Sequence, residues 1–200
     1  MTGKSVFGVG LVTVFAVLLV SLVSCSSTGK SSPASGNGNE VKLPPASQTY
    51  SVMGGVTGIN MFVAKYDDKL FRGGEPTAKQ GFISLKQLGI NTIISIVPSK
   101  LERTYAPKYD IKLVELEFQK PDGPSKEQLK TFLDTIAKGK SPFYVHCKGG
   151  RHKGGILGLA YRLHVQKWPL EKALIEFEQL GGSRTDDDKM IKAVTSYVFK

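Results

Sequence analysis

The stretch from Phe143 to Leu163 constrains this chain more than any other. Phe143-Tyr144-Val145-His146 reads as a short strand buried on both faces. It runs without a break into Cys147-Lys148-Gly149-Gly150-Arg151-His152-Lys153-Gly154-Gly155, and Ile156–Leu163 continues as a helix. A strand entering a helix through a glycine-rich turn points backbone N–H groups at one spot, and the helix start adds positive potential there. Gly149, Gly150, Gly154 and Gly155 allow the backbone to approach a ligand closely. The segment is therefore an anion site of an α/β fold.

The flanking sequence agrees with that class. Ile59–Ala64 is a short apolar run. Ala78, Phe82, Leu85 and Leu88 recur at helical spacing within Thr77–Leu88, and Gly89 stands where a helix stop is expected. Thr92–Val97 is β-branched and continuously apolar until Pro98, the pattern of a strand covered on both faces. Ile111–Phe118 alternates apolar and charged residues, as a strand with one face nearer water does. Ser125 and Gln128 fit a capping box ahead of Leu129, Phe132, Leu133 and Ile136. Leu170–Leu180 and Asp186–Phe199 read as two further helices, with the run Asp186–Asp188 marking the start of the second. Strands alternating with helices predict a largely parallel sheet.

The first quarter of the chain does not belong to that domain. Val6–Val23 carries no charge, and Lys4 precedes it. Leu22-Val23-Ser24-Cys25 resembles the bacterial lipobox, in which small residues precede a cysteine that is lipidated and becomes the new N-terminus. The organisation expected is a lipoprotein signal peptide over 1–24, a flexible Ser-, Gly-, Asn- and Pro-rich linker over 25–49, and a folded domain over 50–200. An uncleaved membrane anchor is the alternative. Both readings tether the chain to a membrane. Ser26 after the cysteine matches sorting to the outer membrane in a Gram-negative source, so an exported, membrane-anchored protein is expected.

With Cys25 lipidated, Cys147 is the free thiol of a chain that has two cysteines. A leftover thiol in an oxidising compartment points to a reactive role. Lys148, Arg151, Lys153 and the helix start all favour a thiolate at Cys147. The groups that would hold a phosphate thus also activate a nucleophile, which argues for phosphoryl transfer through a phosphocysteine. The loop lacks the Gly-Lys-Ser/Thr ending of a nucleotide P-loop. His146, Cys147 and His152 have no second Cys/His pair at zinc-ligand spacing, so no metal or cofactor is expected. The formal charge of +10 attracts anions generally. No aromatic–basic interleaving of the kind used by nucleic-acid readers accompanies it, and no nucleic-acid partner is expected.

His146-Cys147 followed by Gly150 and a cation at position 153 resembles the signature of the protein-tyrosine and dual-specificity phosphatases. Leu70-Phe71-Arg72-Gly73-Gly74-Glu75-Pro76-Thr77 and Gly89–Ile96 are similar to the small dual-specificity-like phosphatases of bacteria, plants and fungi. The resemblance covers about Phe71 to Tyr161. It implies a central, mostly parallel sheet of about four to five strands flanked by helices. It also implies a phosphorylated substrate, Cys147 as nucleophile, His146 as loop support, and Lys148, Gly149, Gly150, Arg151, His152 and Gly154 as the phosphate-holding loop. Asp122 stands where the family places its general acid, although Pro121-Asp122-Gly123 is also an ordinary turn. His152 is otherwise read as loop surface and Arg72 as a structural ion pair.

Two positions depart from the family. Lys153 replaces the arginine that clasps two phosphate oxygens, and a point charge does not reproduce a planar fork. Gly154 replaces the following hydroxyl residue. The readings open at this stage are a phosphatase, a phosphate-binding pseudophosphatase, and a structural envelope lipoprotein that only keeps the fold.

Overall fold

Residues 49–200 are described by the structure, a computed structural model. The expected signal peptide, Cys25 and the linker as far as residue 48 lie outside the described residues. Along the chain run β1 (Ser51–Val52), β2 (Val63–Lys65), β3 (Leu70–Gly73), α1 (Lys79–Gln87), β4 (Thr92–Ser95), α2 (Lys100–Tyr105), β5 (Lys112–Glu115), α3 (Lys126–Lys138), β6 (Phe143–His146), α4 (His152–Ala160), α5 (Leu170–Gln179) and α6 (Asp188–Val198). A π-helical turn, Tyr161–Val165, extends α4. No helix among the described residues is long and apolar enough to cross a membrane.

The sheet has six strands in the order β1-β2-β3-β6-β4-β5. This is larger than the expected four to five. The four strands β3, β6, β4 and β5 pair in parallel, and β2 and β1 add an antiparallel edge beyond β3. Strand β6 lies between β3 and β4, with Tyr144 opposite both Phe71 and Ile93. Its four residues are all buried, which is why the run is apolar without alternation.

The pleat sorts its side chains between two cores. Phe143 and Val145 join Ile94 in the core that receives α3, α4, α5 and α6. Tyr144 joins Ile93, Phe71 and the α1 residues Phe82 and Leu85 on the opposite face. Helices thus cover both faces, as a parallel sheet requires.

Two predicted strands shrink. Within Ile59–Ala64 only Val63 and Ala64 enter β2, because Gly58 (φ 72°) and Met61 (φ 60°) take left-handed backbone and break the extension. Ile59 makes an isolated bridge to Pro76 instead. Ile111–Phe118 contributes only Lys112–Glu115 to the ladder, yet Leu116 and Phe118 remain buried in the core beyond it. The capping box at Ser125 forms as expected, with Ser125 Oγ accepting from Gln128 N at 3.2 Å. A second capping box, Ser99 with Glu102, starts α2, a helix too short to show an apolar stripe in the sequence.

Candidate active site

Strand β6 delivers Cys147 to the C-terminal edge of the sheet, and α4 begins five residues later at His152. The turn between them depends on Gly150. Its φ of 73° is left-handed, and a Cβ there would meet the Gly73 backbone at 2.4 Å. The loop from Cys147 to Arg151 therefore sits directly on the end of β3. Lys148 O is held by Glu75 N at 3.1 Å and by Asn60 Nδ2 at 2.9 Å. With that carbonyl tied down on the outside, the thiol faces the helix: Gly154 N donates to Cys147 Sγ at 3.4 Å.

Cys147, Lys148, Gly149, Arg151, His152 and Lys153 line one cleft of about 430 Å³, joined by Val97 and Lys120. Cys147 is 6 % exposed. The lining holds several cations and no carboxylate, so it favours an anion.

His146 lies behind the loop, fully buried, with Nε2 2.8 Å from Glu102 Oε1. Glu102 Oε2 in turn accepts from Ser99 N and Ser99 Oγ, both at 2.9 Å. Burial alone would raise the Glu102 pKa. The hydrogen bond and charge of His146, with further hydrogen bonds from Ser95 and Ser99, reverse that and hold the carboxyl below its ordinary value. The sequence reading missed Glu102. Its one local signal is the Ser99-x-x-Glu102 spacing after Pro98.

Glu102→Gln is expected to cost about 2 kcal/mol at pH 7, measured by urea unfolding, because it weakens a buried charged hydrogen-bond network without opening a cavity. A depressed folded-state pKa stabilises above the unfolded value and loses that stabilisation as pH falls through the folded value. The wild-type chain should accordingly weaken faster than Glu102→Gln as pH drops below about 4.5.

Four residues differ from expectation. Asp122 does not line the cleft. Its side chain is 86 % exposed, and Oδ1 is 3.9 Å from Lys189 Nζ. Lys153 Nζ donates to Phe118 O at 3.2 Å and Gln119 Oε1 at 3.3 Å, so its ammonium ties the loop after β5 to the start of α4. His152 is not free loop surface. Its Nδ1 is 2.7 Å from Oδ2 of Asp187, a carboxylate buried completely at the start of α6. Lys120 Nζ reaches the other oxygen, Oδ1, at 2.6 Å, and Ser183 N donates to Oδ2 at 3.0 Å. Burial pushes the Asp187 pKa up, but Lys120, His152 and the Ser183 amide outweigh it and hold the carboxyl below its usual value.

Arg72 is fully buried, but its partners are neutral rather than the expected carboxylate. Nη1 donates to Tyr66 Oη at 2.6 Å and Nη2 to Leu180 O at 2.9 Å. A Cβ on Gly155 would stand 3.3 Å from Nη1, so this guanidinium underpins the first turn of α4.

A description of the tyrosine phosphatase family matches residues 59–200, which includes the loop, both sheet cores and the C-terminal helices. The chain belongs to the tyrosine phosphatase family. Among relatives in this family, the dual specificity protein phosphatase TpbA of Pseudomonas aeruginosa is 26 % identical over 141 residues, covering 70 % of this chain and 62 % of that protein. The inositol diphosphatase DSP4 of Arabidopsis thaliana is 26 % identical over 132 residues, covering 60 % and 64 %. The chain thus spans less than two thirds of the length of these relatives. The crystal structure of P. aeruginosa TpbA superposes with a TM-score of 0.58 at 22 % identity, covering 76 % of this chain and 91 % of that one. At that identity the likeness concerns the family fold.

Proposed function

We propose that the chain hydrolyses phosphate monoesters through a covalent phosphocysteine at Cys147. The observation that carries this reading is the setting of the sulfur. It opens onto a cleft rimmed by Lys120, Lys148, Arg151, His152 and Lys153, and it accepts the Gly154 N–H at the start of α4. Sγ attacks phosphorus, and the S–P bond forms as the P–O bond to the leaving group breaks. Loop amides and cations carry the charge that builds on the remaining oxygens. Water then attacks phosphorus, the S–P bond breaks, and inorganic phosphate leaves.

The names of the relatives support a substrate class that includes phosphorylated protein side chains and small-molecule phosphates. The apolar run Val6–Val23 and the motif ending at Cys25 support a lipid-anchored protein acting outside the cytoplasm. Incorporation of radiolabelled palmitate that survives a Cys25→Ser change would overturn that part.

The second step lacks help that the family usually has, since no hydroxyl follows position 153. Slow breakdown of the intermediate is the consequence. Acid quenching of the chain with a ³²P-labelled aryl phosphate is therefore expected to trap label on Cys147. An aryl phosphate hydrolysed without any trapped label, or with label on another residue, rejects the covalent route.

One observation favours the pseudophosphatase as a second reading. Lys153, at the clamp position, spends its ammonium on Phe118 O and Gln119 Oε1. A chain with that arrangement holds phosphate better than it turns it over.

A further inference from the structure

The family's acid position is unsuited to proton transfer in this fold, because Asp122 is exposed and outside the cleft. A titratable group of the right chemistry does line the cleft beside Cys147. His152 is part-buried, with its side chain 40 % exposed. Its Nδ1 is 2.7 Å from a carboxylate with no exposure of its own. A buried carboxylate on one ring nitrogen fixes the tautomer and leaves Nε2 as the nitrogen free for chemistry. Asp187 is itself fixed by Ser183 N and by Lys120.

Resting on the phosphocysteine reading above, we propose that His152 is the proton donor to the leaving group, with Asp187 as its positioning residue. In the first step the S–P bond forms and the P–O bond breaks, while the proton on Nε2 passes to the departing oxygen. The neutral imidazole keeps its Nδ1 proton on Asp187. In the second step a solvent water attacks phosphorus, the S–P bond breaks, and Nε2 takes the water's proton, which restores the imidazolium. One nitrogen thus serves as acid and then as base.

The charges around the ring come from every neighbouring element. Asp187 approaches from the start of α6, Lys120 from the loop after β5, Lys148 and Arg151 from the phosphate-holding loop, and Lys153 from α4 itself. Asp187→Asn keeps the size of the side chain and removes the carboxylate that orients the His152 ring.

The test compares two esters with the full chain in detergent micelles. Phenyl phosphate needs its leaving oxygen protonated, whereas p-nitrophenyl phosphate scarcely does. His152→Gln should lower kcat/KM on phenyl phosphate by about 100-fold or more and on p-nitrophenyl phosphate by less than about tenfold. Asp187→Asn should show the same selectivity between the two esters. Equal losses on both esters in both variants would overturn the assignment. So would wild-type rates in His152→Gln alongside a selective loss in Asp122→Asn, which returns the acid role to Asp122. A wild-type chain that hydrolyses neither ester and traps no phosphoenzyme instead rejects the phosphocysteine reading itself.

Discussion

Cys147→Ser is expected to lower turnover of an aryl phosphate by about 10⁵-fold or more while inorganic phosphate still binds. Two properties of the site lead to this split. The nucleophile is a single atom, and a serine hydroxyl is a far weaker nucleophile than cysteine sulfur. On the proposed reading, phosphate recognition comes instead from loop backbone amides and from the cleft-lining Lys148, Arg151 and His152, which the substitution leaves unchanged. The two side chains are also nearly isosteric, so Gly154 N keeps an acceptor in place of the sulfur. Initial rates with the aryl ester and a calorimetric titration with phosphate make the measurement. Residual turnover within tenfold of wild type would remove Cys147 from the chemistry. Loss of phosphate binding together with turnover would show a damaged loop instead.

Lys153→Arg is expected to raise kcat by about 10²–10³, since it restores a planar donor pair to a position that otherwise offers one point charge. The ammonium of Lys153 is engaged by Phe118 O and Gln119 Oε1. A guanidinium has five N–H donors in a fixed fork and engages two phosphate oxygens at once. The gain should fall on kcat more than on KM, because the fork matches the trigonal transition state rather than the ground state. The same experiment chooses between the two readings of the native chain. A silent wild type beside an active Lys153→Arg identifies the native protein as a phosphate holder. A measurable wild-type rate that arginine increases identifies a slow phosphatase. No change in rate would place residue 153 outside the transition state altogether.

Local features of this chain were readable from the order of its residues. Phe143–His146 emerges with the predicted bounds because a continuous apolar run of that length has few alternatives in a parallel sheet. The Ser125 capping box and the left-handed Gly89 after α1 were equally readable, because both depend on contacts within one turn of helix. Where the reading failed, the deciding contact was distant. Ile59–Ala64 looked extended, but packing of Gly58 against α1 imposes a left-handed turn: a Cβ on Gly58 would meet Gly81 N at 2.3 Å. The antiparallel edge was missed for the same reason, since β1 has two residues and exists only through its pairing with β2.

The cysteine loop shows where the division falls. The order of residues alone determined a strand, a glycine turn and a helix, and with them a thiol at a helix start facing an anion site. Backbone geometry over a dozen residues is enough for that. Only the tertiary structure decided what surrounds the thiol. Glu102 supports His146 across 44 positions of chain, and Asp187 orients His152 across 35. Lys120 enters the cleft, while Asp122, two residues on, faces solvent beside Lys189. Periodicity and capping act between near neighbours. Charge pairing in a buried site depends on which distant segments the fold brings together, and no local pattern in the chain encodes that meeting.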